Sequence, residues 1–176
     1  QPSALESELV PLDLDVTPLD NSKTHKEGVA HTYKGFDGYA PMMAYIGTEG
    51  FLANTELREG SQHCQCNTPA FLKQTLRLGH QLTDKQLLVR MDAGNDAAEN
   101  LGILIEDGSW FIVKRNLRRG ESKEDWIAKV KECCKDIRKP RDGKTVYIGS
   151  SWKDVAYTDS KGESKTMTMR IVYEII

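Results

Sequence analysis

The sequence predicts a mixed α/β fold, and three observations carry that prediction. Strand-like apolar runs recur at residues 9–16, 38–46, 51–57, 87–91 and 110–113. Two segments between them, opening near Thr68 and Asp96, space their apolar residues at helical intervals. Short turns join the first strands and helices separate the later ones, so the order is β-β-β-α-β-α-β, a complete mixed layer that closes before Arg119.

Each element has its own local reason. In the opening run Asp13 and Asp15 share one face while Leu12, Leu14 and Val16 share the other, the alternation of a strand. Residues 18–35 are polar and rich in turn formers, too long for a tight hairpin, and are expected to be an exposed excursion near the site. The runs at 38–46 and 51–57 are bridged by Gly47-Thr48-Glu49-Gly50, a connection of the length that joins antiparallel strands. Thr68-Pro69 supplies a cap and a first-turn proline for a helix reaching about Gln81, with Phe71, Leu72, Thr75, Leu76 and Leu78 mostly on one face. Asp84 leads into the strand that stops at Asp92. Asp96 and Glu99 resemble a capping box for a helix carrying Leu101, Leu104 and Ile105 that ends at Gly108. Trp110–Val113 reads as a short buried strand.

After Gly120 the character changes. Residues 121–139 read as an amphipathic helix using Trp126, Ile127, Val130 and Cys133 or Cys134, ended by Pro140, Asp142 and Gly143. Residues 145–156 and 166–176 alternate as two strands across a turn at Asp159-Ser160-Lys161-Gly162. Two regions are therefore expected, 1–119 as the main α/β layer and 120–176 as a helix followed by a β-hairpin lobe. The last residues fall inside the apolar run from Ile171 to Ile176, which predicts that the sequence is a piece of a longer protein.

Composition narrows the class. The chain has 176 residues, 39% hydrophobic and 28% charged, enough to bury one sizeable core. No apolar run approaches a membrane span and no signal peptide is visible, so a cytoplasmic protein is expected. Cys64, Cys66, Cys133 and Cys134 fit neither a disulfide framework nor a standard zinc spacing, and are expected to be reduced thiols; His63-Cys64-Gln65-Cys66 lacks the second pair a zinc site needs. A net charge of −2 argues against a surface wholly devoted to nucleic acid. Local basic segments remain, at 114–119 and at Lys135, Arg138, Lys139 and Arg141.

The chemistry-bearing signal is a pair of acids, Asp15 and Asp92, each where a strand-like run stops. A carboxylate at the edge of a buried strand is costly unless a positive group holds it. Two of them on neighbouring strands describe an oxygen-only site suited to Mg²⁺ or Mn²⁺ and the phosphoryl chemistry those ions assist. Asp13 shares the face of Asp15 and could be the ligand instead; the strand-end position and the following Thr17 favour Asp15. Asp96 reads as a helix cap.

At these positions the sequence resembles a known family. The strings Leu12-Asp13-Leu14-Asp15-Val16-Thr17-Pro18-Leu19-Asp20-Asn21, Tyr33-Lys34-Gly35-Phe36-Asp37-Gly38-Tyr39-Ala40-Pro41, Leu57-Arg58-Glu59-Gly60-Ser61-Gln62-His63, Arg90-Met91-Asp92-Ala93-Gly94-Asn95-Asp96 and Lys114-Arg115-Asn116-Leu117-Arg118 look like those of the DDE transposases of bacterial insertion sequences. The resemblance implies an RNase-H-like core interrupted by a β-rich insertion where residues 120–176 fall. It implies that Asp15 and Asp92 are the first two catalytic acids and metal ligands, and that the third, a Glu on a later helix, lies beyond this sequence. It further implies Mg²⁺- or Mn²⁺-dependent DNA cleavage and strand transfer by the complete protein, with transposon-end and target DNA as partners, a homodimer as the active assembly, and little activity in this piece alone. Arg115, Arg118 and Arg119 would then grip DNA phosphates. Trp152 is the residue to compare with an aromatic that stacks on a displaced base in some relatives, but such a Trp is more often simply packed, and packing is the expectation here.

Two other functions compete. Asp13-Leu14-Asp15-Val16-Thr17 also fits the DxDxT signature of haloacid-dehalogenase-like phosphatases, with Asp13 as nucleophile and 92–96 as the metal loop. The two further strands expected before any helix disagree with the parallel, doubly wound sheet of that family. The third possibility is a DNA-binding or assembly module in which the acids are inert.

Overall fold

The computed structural model describes residues 4–133 and 136–175, the side chains of Ala4, Lys131, Cys133 and Ile175 excepted. Cys134, Lys135 and Ile176 therefore lie outside the described residues. The chain divides into two compact units, one of residues 1–115 with 158–163, the other of 116–157 with 164–176.

The first unit is built on a mixed five-stranded sheet. After a short 3₁₀ turn come β1 (Leu9–Val16), the small strands β2 (Leu19–Asp20), β3 (Ala30–His31) and β4 (Asp37–Tyr39), then β5 (Met42–Ile46) and β6 (Phe51–Glu56). Helix α1 (Thr68–Leu82), β7 (Gln86–Met91), α2 (Ala98–Asp107) and β8 (Trp110–Val113) complete it. The sheet order is β6-β5-β1-β7-β8; β5 alone runs against the others, antiparallel to both β1 and β6, while β7 and β8 are parallel to β1.

Alternation along β1 and β7 decides which face is covered. Val10, Leu12, Leu14, Leu87, Val89 and Met91 point to one side and are buried with Phe71, Leu72 and Leu76 of α1 and Ile103 and Leu104 of α2. Burial of these side chains, each contributing on the order of 1.5–3 kcal/mol, fixes the register, because a one-residue slip would turn the set outward. The opposite face carries Pro11, Asp13, Asp15, Leu88, Arg90, Trp110 and Ile112. Trp110 is 62% and Ile112 59% exposed, so β8 is buried on one side only, against the expectation of a buried strand.

The excursion after β1 is not a plain loop. Residues 19–39 fold into a three-stranded sheet of order β2-β4-β3. A Cβ on Gly60 would lie 2.1 Å from Ala30 O and 2.3 Å from Gly38 O, and one on Gly38 would lie 1.9 Å from Leu19 O, so three backbone segments meet where only glycine fits. This sheet was illegible in sequence because its strands are two or three residues long and polar. It also takes Gly38 and Tyr39 away from the run 38–46, which breaks at Ala40-Pro41.

Helix ends differ from expectation in their chemistry. At α1 the N-cap is Asn67 in the left-handed region (φ 64°), while the Thr68 hydroxyl donates to Cys64 O instead of capping. At α2 the N-cap position falls on Ala97, without a side-chain bond, one residue after the Asp96 expected to begin the helix. Asp92 caps instead, at the 3₁₀ turn Ala93–Asn95, where its side chain accepts from Gly94 N.

In the second unit, α3 (Lys123–Cys133) is followed by β9 (Asp136–Arg141), β10 (Lys144–Thr158) and β11 (Ser164–Ile175), in the sheet order β11-β10-β9. Ser122 caps α3, its hydroxyl accepting from Asp125 N and donating to the Asp125 carboxylate. Val130 is buried, and Trp126 meets Tyr173 with ring centroids 5.9 Å apart. The helix expected over 121–139 thus stops early, and 136–141 is a strand. Asp142-Gly143, with Gly143 at φ 73°, is the tight turn of a β9–β10 hairpin and not a helix terminator. Pro140 is tolerated because β9 is an edge strand.

Candidate functional site

Leu14 of β1 and Met91 of β7 are paired in the parallel ladder. The next residue on β1 is Asp15 and the first residue past β7 is Asp92, so the two acids follow paired positions of adjacent strands. Both are exposed. The expected pair is therefore brought together, by hydrogen-bonded strands and not by loops.

Each carboxylate is held through one oxygen. Asp15 Oδ1 accepts from Val16 N at 2.8 Å. Asp92 Oδ1 accepts from Gly94 N at 2.9 Å and from Asn95 Nδ2 at 3.2 Å. Neither Oδ2 accepts a hydrogen bond from the described residues, which leaves one oxygen on each acid for a ligand. Asn95 is buried and anchored in turn, its carbonyl accepting from Asn100 Nδ2 at 2.9 Å.

Asp13 has a different fate. Arg90, its register partner, donates Nε to Oδ1 and Nη2 to Oδ2, each at 2.5 Å. This fork-to-fork pair raises the Arg90 pKa and occupies both Asp13 oxygens.

Three further residues surround the acids: Lys114, from the basic segment read in the sequence, and Tyr33 and Cys64, which sequence did not connect with the acids. Tyr33, from the excursion, donates its hydroxyl to Val16 O at 3.4 Å, while its ring is exposed. Its pKa is raised, first by desolvation and then by the negative charges of Asp15 and Asp92. Cys64 is a free thiol whose Sγ donates to Gly94 O at 3.1 Å. A Cβ on Gly94 would lie 2.6 Å from Cys64 Sγ and 3.1 Å from Asp92 Oδ1, so thiol and carboxylate flank one methyl-sized volume and Gly94 must stay small. Lys114 N donates to Met91 O at 3.0 Å, which extends the β7–β8 ladder and sets the start of the basic segment alongside Asp92. The signal for Cys64 and Tyr33 was tertiary, since both come from loops far from either acid in sequence.

Behind Cys64 stands a buried cation. Arg58 is 3% exposed, its Nε donating to Glu56 at 2.6 Å and its Nη1 to Cys64 O at 2.9 Å, with Phe71 under the guanidinium at 5.8 Å. It fixes the segment that carries Cys64 onto α1.

The basic residues are divided. Arg115 ends the first unit; Arg118 and Arg119 belong to the second, where Arg118 N donates to Glu121. Among the described residues no three His, Cys, Asp or Glu side chains converge as a metal-holding group. The pair Asp15 and Asp92 nonetheless fits Mg²⁺, which commonly takes one or two carboxylates and fills its shell with water and phosphate oxygens. Cys66 is a free, exposed thiol, and no helix among the described residues is long and apolar enough to cross a membrane.

Neither a protein-family model nor a curated protein matches this chain. Among solved structures, the chain is similar to a piggyBac transposase in a synaptic complex with hairpin DNA, seen by cryo-electron microscopy, with TM-score 0.36 and 9% identity. The match covers 90% of this chain, which spans 32% of the length of that transposase chain.

Proposed function

We propose that this chain is part of a DNA transposase, with Asp15 and Asp92 as two acids of an RNase-H-like phosphoryl-transfer site. The observation that carries the reading is the register: Asp15 and Asp92 follow the paired residues Leu14 and Met91, and each keeps one oxygen open. The strand order β6-β5-β1-β7-β8, with β1 central, supports the RNase-H-like expectation, and the sequence resemblance adds the direction of the chemistry.

A divalent cation held at such a site neutralises phosphoryl oxygens and makes water or a 3′-hydroxyl a better nucleophile. The chain's own residues orient and exclude. Val16 N and Gly94 N fix the two carboxylates, Cys64 and Gly94 close the volume behind Asp92, and Lys114 starts a basic segment through Arg115, Arg118 and Arg119 for the DNA backbone. A paired assembly on two DNA ends belongs to the same proposal.

Manganese binding followed by electron paramagnetic resonance tests the site. Asp15→Asn and Asp92→Asn are each expected to abolish binding, and Asp13→Asn to leave it intact. Loss in Asp13→Asn, together with Mg²⁺-dependent hydrolysis of an aryl phosphate, would establish the phosphatase instead. The Arg90 fork on Asp13 speaks against that alternative, since a nucleophilic carboxylate needs a free oxygen. DNA binding that survives loss of both acids yet needs Arg115, Arg118 and Arg119 would leave only a binding module.

A further inference from the structure

We propose that Tyr33 and Lys34 contact the nucleic-acid strand directly, the phenol ring stacking on a base beside the reacting phosphate and the Lys34 ammonium neutralising an adjacent phosphate. This rests on the reading of Asp15 and Asp92 as a phosphoryl-transfer site and adds a substrate platform to it.

Tyr33 is 68% exposed although its hydroxyl is tied to Val16 O, one residue from Asp15. An anchored hydroxyl with the ring left in solvent contributes little to the core, but it holds a π-face at a fixed place next to the acids. The support is stiff. Thr32, 2% exposed, accepts from Gly35 N at 3.0 Å and donates both its N–H and its hydroxyl to Phe36 O at 2.8 Å, closing the turn that presents Tyr33 and Lys34. Below the turn, the close backbone approach at Gly38 and Gly60 locks the small sheet.

The placement of one cation, not a basic excess, points to the same class of ligand. The excursion carries Lys23, His25, Lys26, His31 and Lys34. Its three acids equal its three lysines in number: Asp37 is bonded to His31 at 3.0 Å, Asp20 to Ser22, whose backbone N–H and then hydroxyl lower the Asp20 pKa, and Glu27 follows Lys26 directly. Lys34 Nζ sits 5.3 Å from the Tyr33 ring centroid, so a cation travels with the aromatic face. An exposed aromatic with an attached cation beside a phosphoryl site is the chemistry that grips an unpaired strand. A small phosphate ester has no base to place on the ring.

The test uses the full 176-residue chain with Mn²⁺ and a duplex oligodeoxynucleotide whose unpaired 3′ overhang carries 2-aminopurine. Wild type is expected to quench the probe, and Tyr33→Phe, which keeps the ring but loses the hydroxyl anchor to Val16 O, to quench it less. Tyr33→Leu should lose the quench and bind about 5-fold or more weakly, with Tyr33→Trp restoring both. Lys34→Gln should reduce the slope of log affinity against log salt by about 0.7 to 1. If Tyr33→Leu keeps quench and affinity while Mn²⁺ binding still depends on Asp15 and Asp92, the platform is wrong and the acid site stands. A failure of Tyr33→Trp to rescue Tyr33→Leu would also overturn it, assigning the loss to the loop. If Mn²⁺ binding ignores Asp15→Asn and Asp92→Asn, the site reading falls and takes the platform with it.

Discussion

Arg90 grips Asp13 through both guanidinium arms across the β1–β7 ladder, Asp13 lying two residues before Asp15 and Arg90 two before Asp92. Both side chains are more than a third exposed, so the pair is screened by solvent and adds about 1 kcal/mol or less. Arg90→Ala is expected to lower stability in urea by no more than that, with far-UV circular dichroism unchanged. A loss several-fold larger would mean that the pair holds the strand register.

Arg58 is the opposite case, a cation removed from water. Arg58→Ala takes from Cys64 O one of its two donors, leaving the Thr68 hydroxyl, and leaves Glu56 without its Arg58 partner. We expect a loss of about 3 kcal/mol in urea denaturation. Arg58→Lys should rescue only part of it, because an ammonium cannot reproduce the fork.

Tyr33 gives a pH dependence whose sign is fixed. Its native pKa is raised, so the native state holds the phenolic proton more tightly than the unfolded chain does. The resulting stability is complete below the unfolded value, about 10, and is lost as pH rises through the higher native value. In ultraviolet titration, the difference between wild type and Tyr33→Phe should show a phenol ionising later than the ordinary range. Removing charge with Asp15→Asn plus Asp92→Asn should lower it only part of the way, because desolvation, the larger cause, remains.

Gly60→Ala forces a Cβ into two backbone carbonyls, neither of which can rotate away. The expected result is a loss of about 1–3 kcal/mol and faster amide exchange confined to residues 19–39. Uniform destabilisation would show that the small sheet is continuous with the core in folding.

Much of this was legible because hydrophobic alternation is strong where burial is one-sided. The five long strands, α1, α2 and the ends carrying Asp15 and Asp92 all announce themselves by period and by the charge that stops them. What escaped had a physical cause in each instance. The β2-β4-β3 sheet is held by glycine-permitted backbone approach, which leaves no apolar pattern. Residues 136–141 have mixed polarity that suits a helix or an edge strand, and the Asp142-Gly143 turn, which decides between them, reads equally well as a stop. Cys64 and Tyr33 reach the acids through loops, and a linear reading has no measure of that distance. The strand-end position and Thr17 favour Asp15 over Asp13 in sequence, but the Arg90 fork that occupies Asp13 is visible only once the strands are in register.

The ladder that joins β1 to β7 unites residues 77 positions apart, as in the Asp13–Arg90 contact. Such a junction forms only after a long stretch of chain has closed on itself, so the two acids meet late and together with the core. A cation captured there would reward the finished molecule and ignore its unfinished precursors, making ion affinity a gauge of completed folding.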